Sequence, residues 1–139
     1  IRYSNKVIDD MKIDHDNPHH TLDIYDHSQA VKDNCLKYND INLFLAGLYH
    51  DIGKPTTKGY KSDENGKMIP IAHYYQHHNV GGYLVYGCFD KHNEACAIQV
   101  SWLVCNHMEP YFDSNYYRNL SEEYKHLIDK LHEADRLGH

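Results

Sequence analysis

The chain of 139 residues lacks a long apolar run and an excess of basic charge. No stretch approaches the ~20 apolar residues that span a bilayer, and the first residues show no secretory signal, so we expect no membrane association. Lys and Arg number 14 against 20 Asp and Glu. This balance argues against an extended nucleic-acid surface, which needs a basic footprint. A small phosphorylated substrate stays compatible with it, because a bound cation can supply local positive charge.

Closely spaced cysteine pairs are also missing. Cys35, Cys88, Cys96 and Cys105 form no C-x-x-C motif, so neither a zinc ribbon nor a thioredoxin-type redox site is indicated. Isolated cysteines favour a reducing, cytoplasmic setting. The chain length fits a single domain over residues 1–139, and no repeat or shift in composition suggests a boundary within it.

Histidine is abundant instead, with 13 residues in the chain. Several lie in polar sequence contexts, and we expect them on the surface: His15, His19, His92, His126, His132 and His139. Four others, His27, His50, His77 and His107, occur where an apolar helical pattern begins or ends. The ends of these four predicted helices are therefore candidates for a functional site.

The stretch 43–55 combines a helical apolar pattern with two adjacent polar residues. Apolar or small residues recur at i, i+3 and i+4 from Leu43 and reach His50 at i+7, so these positions share one helix face. Asp51 follows at the edge of that face, and Pro55 is expected to stop the helix. A buried imidazole beside a carboxylate is costly to leave unpaired, and a divalent metal ion satisfies both groups. A hydrogen-bonded structural pair is the alternative for these two residues taken alone.

The whole pattern predicts an all-α, single-domain helical bundle. Helices are expected from Leu22 to Tyr38, from Ile41 to His50, from His77 onwards, from an Asn93 cap to His107, and from a Ser121 cap through Tyr124 to Asp135. Residues 1–20 are predicted to form a short helix or an irregular arm, and residues 111–119 a polar link. Residues 56–76 are predicted to be a long loop or small hairpin, with a tight turn at Asn65-Gly66. Gly81 and Gly82 indicate close packing, because glycine weakens a helix without such a reason.

Five predicted helices thus each carry a possible metal ligand on the inward face: four carry a histidine, and the last carries Asp135. If their inner ends meet, the imidazoles and carboxylates form a nitrogen- and oxygen-lined pocket suited to Mn, Fe, Co, Ni or Zn. The absence of cysteine from this set argues against a structural zinc site and favours a catalytic one. Histidines satisfied separately within the core are the alternative.

The ordered set resembles the HD superfamily of metal-dependent phosphohydrolases. Residues 50–54 read H-D-I-G-K, which matches that family's core motif. Three further segments, N-P-H-H followed by Y-D-H-S in 17–28, H-H-N-V-G-G in 77–82 and L-H-E-A-D-R-L-G in 131–138, are similar to segments of particular HD domains. Those domains belong to bacterial tRNA nucleotidyltransferases and related RNA-repair 2′,3′-phosphatases. The resemblance implies an HD-type helical bundle, and these 139 residues contain no pattern of a nucleotidyltransferase domain.

The resemblance also implies a set of metal ligands. A first ion would be held by His27, His50, Asp51 and Asp135, and Asp51 would bridge to a second ion held by His77 and His107. The cofactor would be one or two divalent transition-metal ions, namely Mn, Fe, Co, Ni or Zn, with Mg as a further option.

Catalytic and substrate-binding roles come from the same comparison. Asp51 and Lys54 would be the catalytic residues, and His20, Lys54 and His78 would contact the substrate. A solvated lysine and a surface histidine are the alternatives for Lys54 and His20.

The implied function is removal of phosphate from a nucleotide or an RNA end by a phosphomonoesterase, with 2′,3′-cyclic phosphodiesterase activity as an option. The alternatives are a nucleotidase acting on free mononucleotides, a catalytically inactive HD module that binds a nucleotide or a partner domain, and a purely structural helical domain. The implied partners are a phosphorylated nucleotide or RNA-end substrate and an RNA-processing domain, fused to the chain or associated with it.

Overall fold

The computed structural model describes residues 2–139, with side chains from Asn5 onwards, and consists mainly of helices. The helices are, in chain order, α1 (Arg2–Asp10), α2 (Ile24–Asn34), α3 (Ile41–Tyr49), α4 (Lys54–Thr57), α5 (His77–Tyr86), α6 (Glu94–Asn106), α7 (Glu109–Phe112), α8 (Asn115–Arg118) and α9 (Glu122–Leu137). Strands β1 (Lys58–Ser62) and β2 (Met68–Tyr74) and the short 3-10 helices Cys35–Tyr38 and Lys91–Asn93 complete the described chain. The all-α prediction is therefore correct for the body of the fold. A single domain over residues 1–139 stays a prediction, and residue 1 lies outside the described part.

Helix α3 lies at the centre of the helical body and contacts α2, α6 and α9. Its predicted inward face is confirmed, because Leu43, Ala46 and His50 have no exposed surface. The Asp40 carboxylate accepts hydrogen bonds from two backbone N–H groups of the first turn and so caps the helix where the sequence breaks. The same core contains Met11, Ile24, Val31, Val100, Leu103 and Leu131.

Two prolines begin helices rather than ending them. Helix α3 ends at Tyr49, and Pro55 lies in the first turn of α4. Pro110 likewise lies in the first turn of α7, after α6 has ended at Asn106. Proline is favourable there, because the N–H it lacks would have had no partner within the helix. The prediction that Pro55 stops the preceding helix is therefore wrong.

The first predicted core helix is shorter than its apolar pattern. Helix α2 ends at Asn34, and the chain continues as a 3-10 helix through Tyr38. Asn39 then adopts a left-handed conformation with φ of 50°, which asparagine tolerates better than most residues. The 3-10 turn keeps Cys35 in the core, so the pattern predicted burial correctly beyond the end of the α-helix.

Several local predictions need correction. Residues 111–119 include the end of α7 and all of α8, which Ser114 caps by accepting from a backbone N–H. Asn93 precedes α6 but makes no cap bond, since its side chain donates to Asp90 instead. The apolar pattern from Tyr124 to Asp135 predicts a buried face of α9, but Tyr124 itself is 50% exposed.

The segment between α4 and α5 is an antiparallel hairpin. Strands β1 and β2 pair with Lys58 opposite Tyr74, and the turn between them includes Gly66 at φ of 76°. A backbone hydrogen bond from Ala72 to the carbonyl of Asp16 joins the hairpin to the chain between α1 and α2. Residues 1–20 therefore contain both predicted features, a helix up to Asp10 and an irregular arm that packs on the hairpin.

Across residues 2–139, none of the helices combines the length and the apolar character that crossing a bilayer would require.

Candidate metal centre

The six predicted ligands converge at the inner ends of five elements. Three of them form a first group, in which Asp135 Oδ1 lies 2.8 Å from His27 Nε2 and 3.4 Å from His50 Nε2. The two imidazole nitrogens of this group are 3.2 Å apart. The three ligand atoms could hold one metal ion.

The second group comprises Asp51, His77 and His107. Asp51 Oδ1 lies 3.3 Å from His77 Nε2 and 3.7 Å from His107 Nε2, and these nitrogens are 3.2 Å apart. These atoms could likewise hold one ion. All six side chains of the two groups are buried.

The Asp51 carboxylate lies between the two groups. While Oδ1 faces the second group, Oδ2 lies 3.3 Å from His50 Nε2 and 3.7 Å from His27 Nε2 of the first. A carboxylate with one oxygen toward each group has the geometry of a bridging ligand. Metal binding by these residues stays a prediction, but its geometric requirement is met.

Each of the four histidines uses its other ring nitrogen in the same way. Nδ1 of His50, His77 and His107 lies 2.7, 3.1 and 2.6 Å from the carbonyl oxygen three residues earlier in the chain. Nδ1 of His27 lies 3.2 Å from the carbonyl oxygen of Gly138. Because a carbonyl oxygen can only accept, Nδ1 of each ring carries a proton and donates it, and Nε2 points into the centre, where it can offer a lone pair to a metal ion or carry a second proton.

The donor set therefore fits a cation. Four Nε2 atoms and the carboxylate oxygens face one another at 2.8–3.7 Å in a buried site, and acceptors this close repel unless a proton or a metal ion lies between them. The electrostatic environment of the site also favours a positive charge there. Burial disfavours the charged form of His50, yet Asp51 and Asp135 outweigh it and raise the pKa of His50 to about 10.

Local helix structure explains how two of the ligands are aimed. His50 and His107 are the C-caps of α3 and α6. Their Nδ1–H groups donate to the carbonyls of Gly47 and Val104 in the last helical turn, where the regular backbone hydrogen bonds of the helix run out. The carbonyl end of a helix carries partial negative charge, which favours a cation beside it.

Glycine allows the elements around Asp51 to approach each other closely. A Cβ atom on Gly53 would lie 2.1 Å from the backbone oxygen of His77 and 2.7 Å from the backbone nitrogen of Gly81. A Cβ atom on Gly82 would lie 2.0 Å from the sulfur of Cys105 on α6. The close packing predicted from the paired glycines is confirmed, and it brings the start of α5 against the residues that follow α3.

A cavity of about 680 Å³ opens above the centre, and Asp51, His77, His107 and Asp135 form part of its floor. Lys54 lines it too, yet is only 5% exposed, with Nζ 3.0 Å from Asp51 Oδ2. The alternative of a solvated lysine is therefore excluded for this position.

The other two predicted substrate contacts also line the cavity. His20 is half-buried and stacks on His15, with ring centroids 3.9 Å apart. Burial, followed by the charges of Lys54 and His15, lowers the pKa of His20 to about 3. Burial also lowers the pKa of His78, whose ring lies 5.4 Å from that of Phe112. Both rings are therefore neutral hydrogen-bonding groups rather than cations near neutral pH.

His15 is the site residue that the sequence did not reveal. It was predicted on the surface, but it is 2% exposed and contacts Lys54. Burial, and then the charge of Lys54, lowers its pKa to about 4. No helical or strand periodicity marks this position, because it lies in the irregular arm between two aspartates.

The remaining surface predictions mostly hold. His19, His92, His126 and His139 are exposed, although His19 and His139 also line the cavity. His132 is half-buried against the ring of Tyr111, at 4.8 Å between centroids.

Comparison with known proteins supplies an independent finding. The pattern of the protein family described as "HD domain" matches residues 24–137, which is most of the chain. Neither the curated proteins nor the solved structures contain a significant match. Closeness to the tRNA nucleotidyltransferase type, implied by the local motifs, therefore stays a prediction. The chain belongs to the HD domain family, a superfamily of metal-dependent phosphohydrolases.

Proposed function

We propose that the chain is a phosphohydrolase that removes phosphate from a nucleotide or from an RNA end and depends on two divalent metal ions. The observation that carries this proposal is the position of Asp51, with one oxygen toward each of two ligand groups. When bound, such ions supply Lewis acidity toward a phosphate and a nucleophile from water at neutral pH. The ligand chemistry is compatible with Mn, Fe, Co, Ni or Zn, with Mg as a further option.

The polar residues of the cavity have distinct roles in this proposal. Lys54 binds a phosphoryl oxygen and offsets the negative charge that develops on it during hydrolysis. His20 and His78, as neutral rings, donate or accept hydrogen bonds to the substrate rather than pairing with it as ions.

A nucleotide is supported by the aromatic residues around the cavity. Tyr75, Tyr111 and Phe112 line it, and each is more than half exposed. Large apolar rings left exposed beside a polar centre are typical of binding sites. Aromatic rings also stack on nucleobases with little dependence on sequence. A substrate with its phosphate at Lys54 and a base among these rings would use both parts of the cavity.

Activity assays with different substrates distinguish the remaining candidate functions. RNA 2′-phosphates, 3′-phosphates and 2′,3′-cyclic phosphates should be compared with deoxynucleoside 5′-monophosphates, each with Mn²⁺, Co²⁺, Ni²⁺, Zn²⁺ and, under anaerobic conditions, Fe²⁺. Preference for RNA ends would support association with an RNA-processing domain, whereas preference for 5′-monophosphates would indicate a nucleotidase. Nucleotide binding without turnover in any metal would indicate an inactive binding module.

The bridging role of Asp51 is tested by Asp51→Asn, which keeps the size of the side chain but removes its charge. We expect the bound metal to fall from two equivalents to one or none by elemental analysis of tag-free protein. We also expect hydrolysis to fall by at least ~10²-fold, the order associated with removing one electrostatic group from an active site.

The matched control is Asp33→Asn, which changes an exposed carboxylate on α2. It should leave both metal content and turnover unchanged. Full turnover by the Asp51→Asn protein would contradict the two-metal proposal.

A further inference from the structure

The ammonium group of Lys54 is held on several sides. Its Nζ lies 3.0 Å from Asp51 Oδ2, 3.1 Å from His15 Nε2 and 5.3 Å from the centroid of the Tyr74 ring. Lysine has four flexible side-chain bonds and three N–H donors in no fixed orientation. Its position in the cavity therefore depends on the partners that surround it.

The partners of His15 define which of its nitrogens carries the proton. The Lys54 ammonium can only donate, so His15 Nε2 must accept. The neutral ring then has its proton on Nδ1, which donates to the carbonyl of Leu22 at 2.8 Å. The two bonds require the same tautomer, so the ring meets the needs of both neighbours at once.

The ring itself is fixed by the irregular arm and the hairpin. The Tyr74 hydroxyl donates to the backbone carbonyl of His15, and the His20 ring stacks on His15 with an interplanar angle of 13°. A side chain that is 2% exposed and bonded at both nitrogens has little freedom to move. It is thus a rigid acceptor beside a flexible cation.

We infer that His15 is a positioning residue for substrate binding, which holds the Lys54 ammonium between Asp51 and the cavity. With Asp51 as its only acceptor, the ammonium would be drawn onto the bridging carboxylate. The second acceptor at His15 places two of the three N–H groups and leaves the third for a phosphoryl oxygen. This inference deepens the proposed function and rests on it for the identity of the group that Lys54 binds.

Two near-isosteric substitutions each keep only one of the two hydrogen bonds of the His15 ring, the one to Lys54 or the one to Leu22. His15→Gln can keep an acceptor near the position of Nε2, toward Lys54. His15→Asn can keep a donor near the position of Nδ1, toward Leu22, but offers Lys54 no acceptor. If His15 acts through Lys54, the His15→Gln protein should behave like the unaltered protein. If His15 only fixes the local backbone through Leu22, the His15→Asn protein should do so instead.

The first readout is the ¹⁵N NMR signal of the Lys54 ammonium in protein labelled at lysine, assigned with Lys54→Met and recorded with and without Zn²⁺. We expect a signal protected from solvent exchange in the unaltered protein and in His15→Gln, and its loss in His15→Asn. Thermal unfolding of each variant checks that it is folded.

The second readout is hydrolysis of p-nitrophenyl phosphate, with inorganic phosphate as the competing ligand. His15→Asn should raise KM and the inhibition constant of phosphate on the order of tenfold, the size of a hydrogen bond to a charged group, with a smaller change in kcat. In a Lys54→Met background the same substitution should add nothing, because residues acting as a unit are not additive.

Equal losses in His15→Gln and His15→Asn, or an unchanged Lys54 signal in His15→Asn, would overturn the inference. If the unaltered protein hydrolyses no phosphate ester with any metal while the Lys54 signal responds as expected, the proposed function fails and the positioning by His15 stands. The two failures are therefore distinguishable.

Discussion

At the scale of single residues, the site depends on acceptors that face one another. Asp51 presents its two oxygens to opposite ligand groups, and each histidine is oriented by a backbone carbonyl at its other nitrogen. These carbonyls select the tautomer and aim the rings before any ion arrives. The same logic operates at His15, where one protonation state satisfies both Leu22 and Lys54.

The aromatic residues of the cavity allow a test of substrate recognition. Phe112→Ala and Tyr75→Ala should each raise KM for a nucleotide substrate by roughly 5- to 150-fold, because stacking on a base contributes about 1–3 kcal/mol. They should leave KM for ribose 5-phosphate, which has no base, nearly unchanged. Steady-state kinetics on both substrates measures the difference.

Tyr83→Ala is the matched control, since Tyr83 is 82% exposed and is absent from the lining of this cavity. Equal effects of Phe112→Ala on the two substrates would argue against a base among these rings.

At the scale of elements, the centre depends on how closely helix ends approach. Histidines follow the last turns of α3 and α6, and His77 begins α5. The contact between Gly53 and the first turn of α5 brings Asp51 beside His77. A glycine after the H-D pair is thus needed for space rather than for backbone conformation, since its φ of −75° suits any residue.

Gly53→Ala tests this contact. The added methyl group would lie 2.1 Å from the backbone oxygen of His77, and backbone cannot rotate aside as a side chain can. We expect the free energy of unfolding to fall by about 1–3 kcal/mol, as overpacking typically does, and the affinity of the second metal ion to fall with it. Chemical denaturation and metal titration measure the two effects.

Gly81→Ala is the comparison, because its methyl group would lie 3.1 Å from the Val104 side chain and 3.3 Å from the backbone nitrogen of Gly53, contacts that a shift of a few tenths of an ångström relieves. It should cost less stability than Gly53→Ala and leave metal affinity almost unchanged. The reverse order would show that the close approach at Gly53 is not what positions the second ligand group.

At the scale of the whole molecule, the centre joins parts of the chain that are distant in sequence. His27 and Asp135 are 108 positions apart, yet they form the shortest contact within the first ligand group. The ligands come from five elements that span most of the chain. Two bound ions, one in each ligand group, would therefore together link α2, α3, α5, α6 and α9 and should stabilise the fold as a unit.

Metal binding should raise the melting temperature. A ligand that binds only the folded state at 100 times its dissociation constant stabilises it by about 2.7 kcal/mol. Removal of metal by a chelator should reverse this shift, and His107→Ala should reduce it, as measured by differential scanning calorimetry.

His126→Ala is the control on α9, because His126 is exposed and lies outside both ligand groups. The His126→Ala protein should show the same rise in melting temperature on metal binding as the unaltered protein. An unchanged melting temperature of the unaltered protein across all the metals would contradict a metal centre in this bundle.

The sequence by itself determined the helical character, the inward faces and the six candidate ligands. Apolar residues at helical spacing need a core on one side, so polar residues in line with them, such as His50 and His107, had to be buried. Only the tertiary structure decided that these ends meet, that Asp51 lies between two groups, and that the hairpin packs on the irregular arm. His15 illustrates the limit: its burial results from contacts with Leu22, Lys54 and Tyr74. Such contacts between separate segments leave no periodic trace in the chain, because they depend on how the elements pack rather than on local spacing.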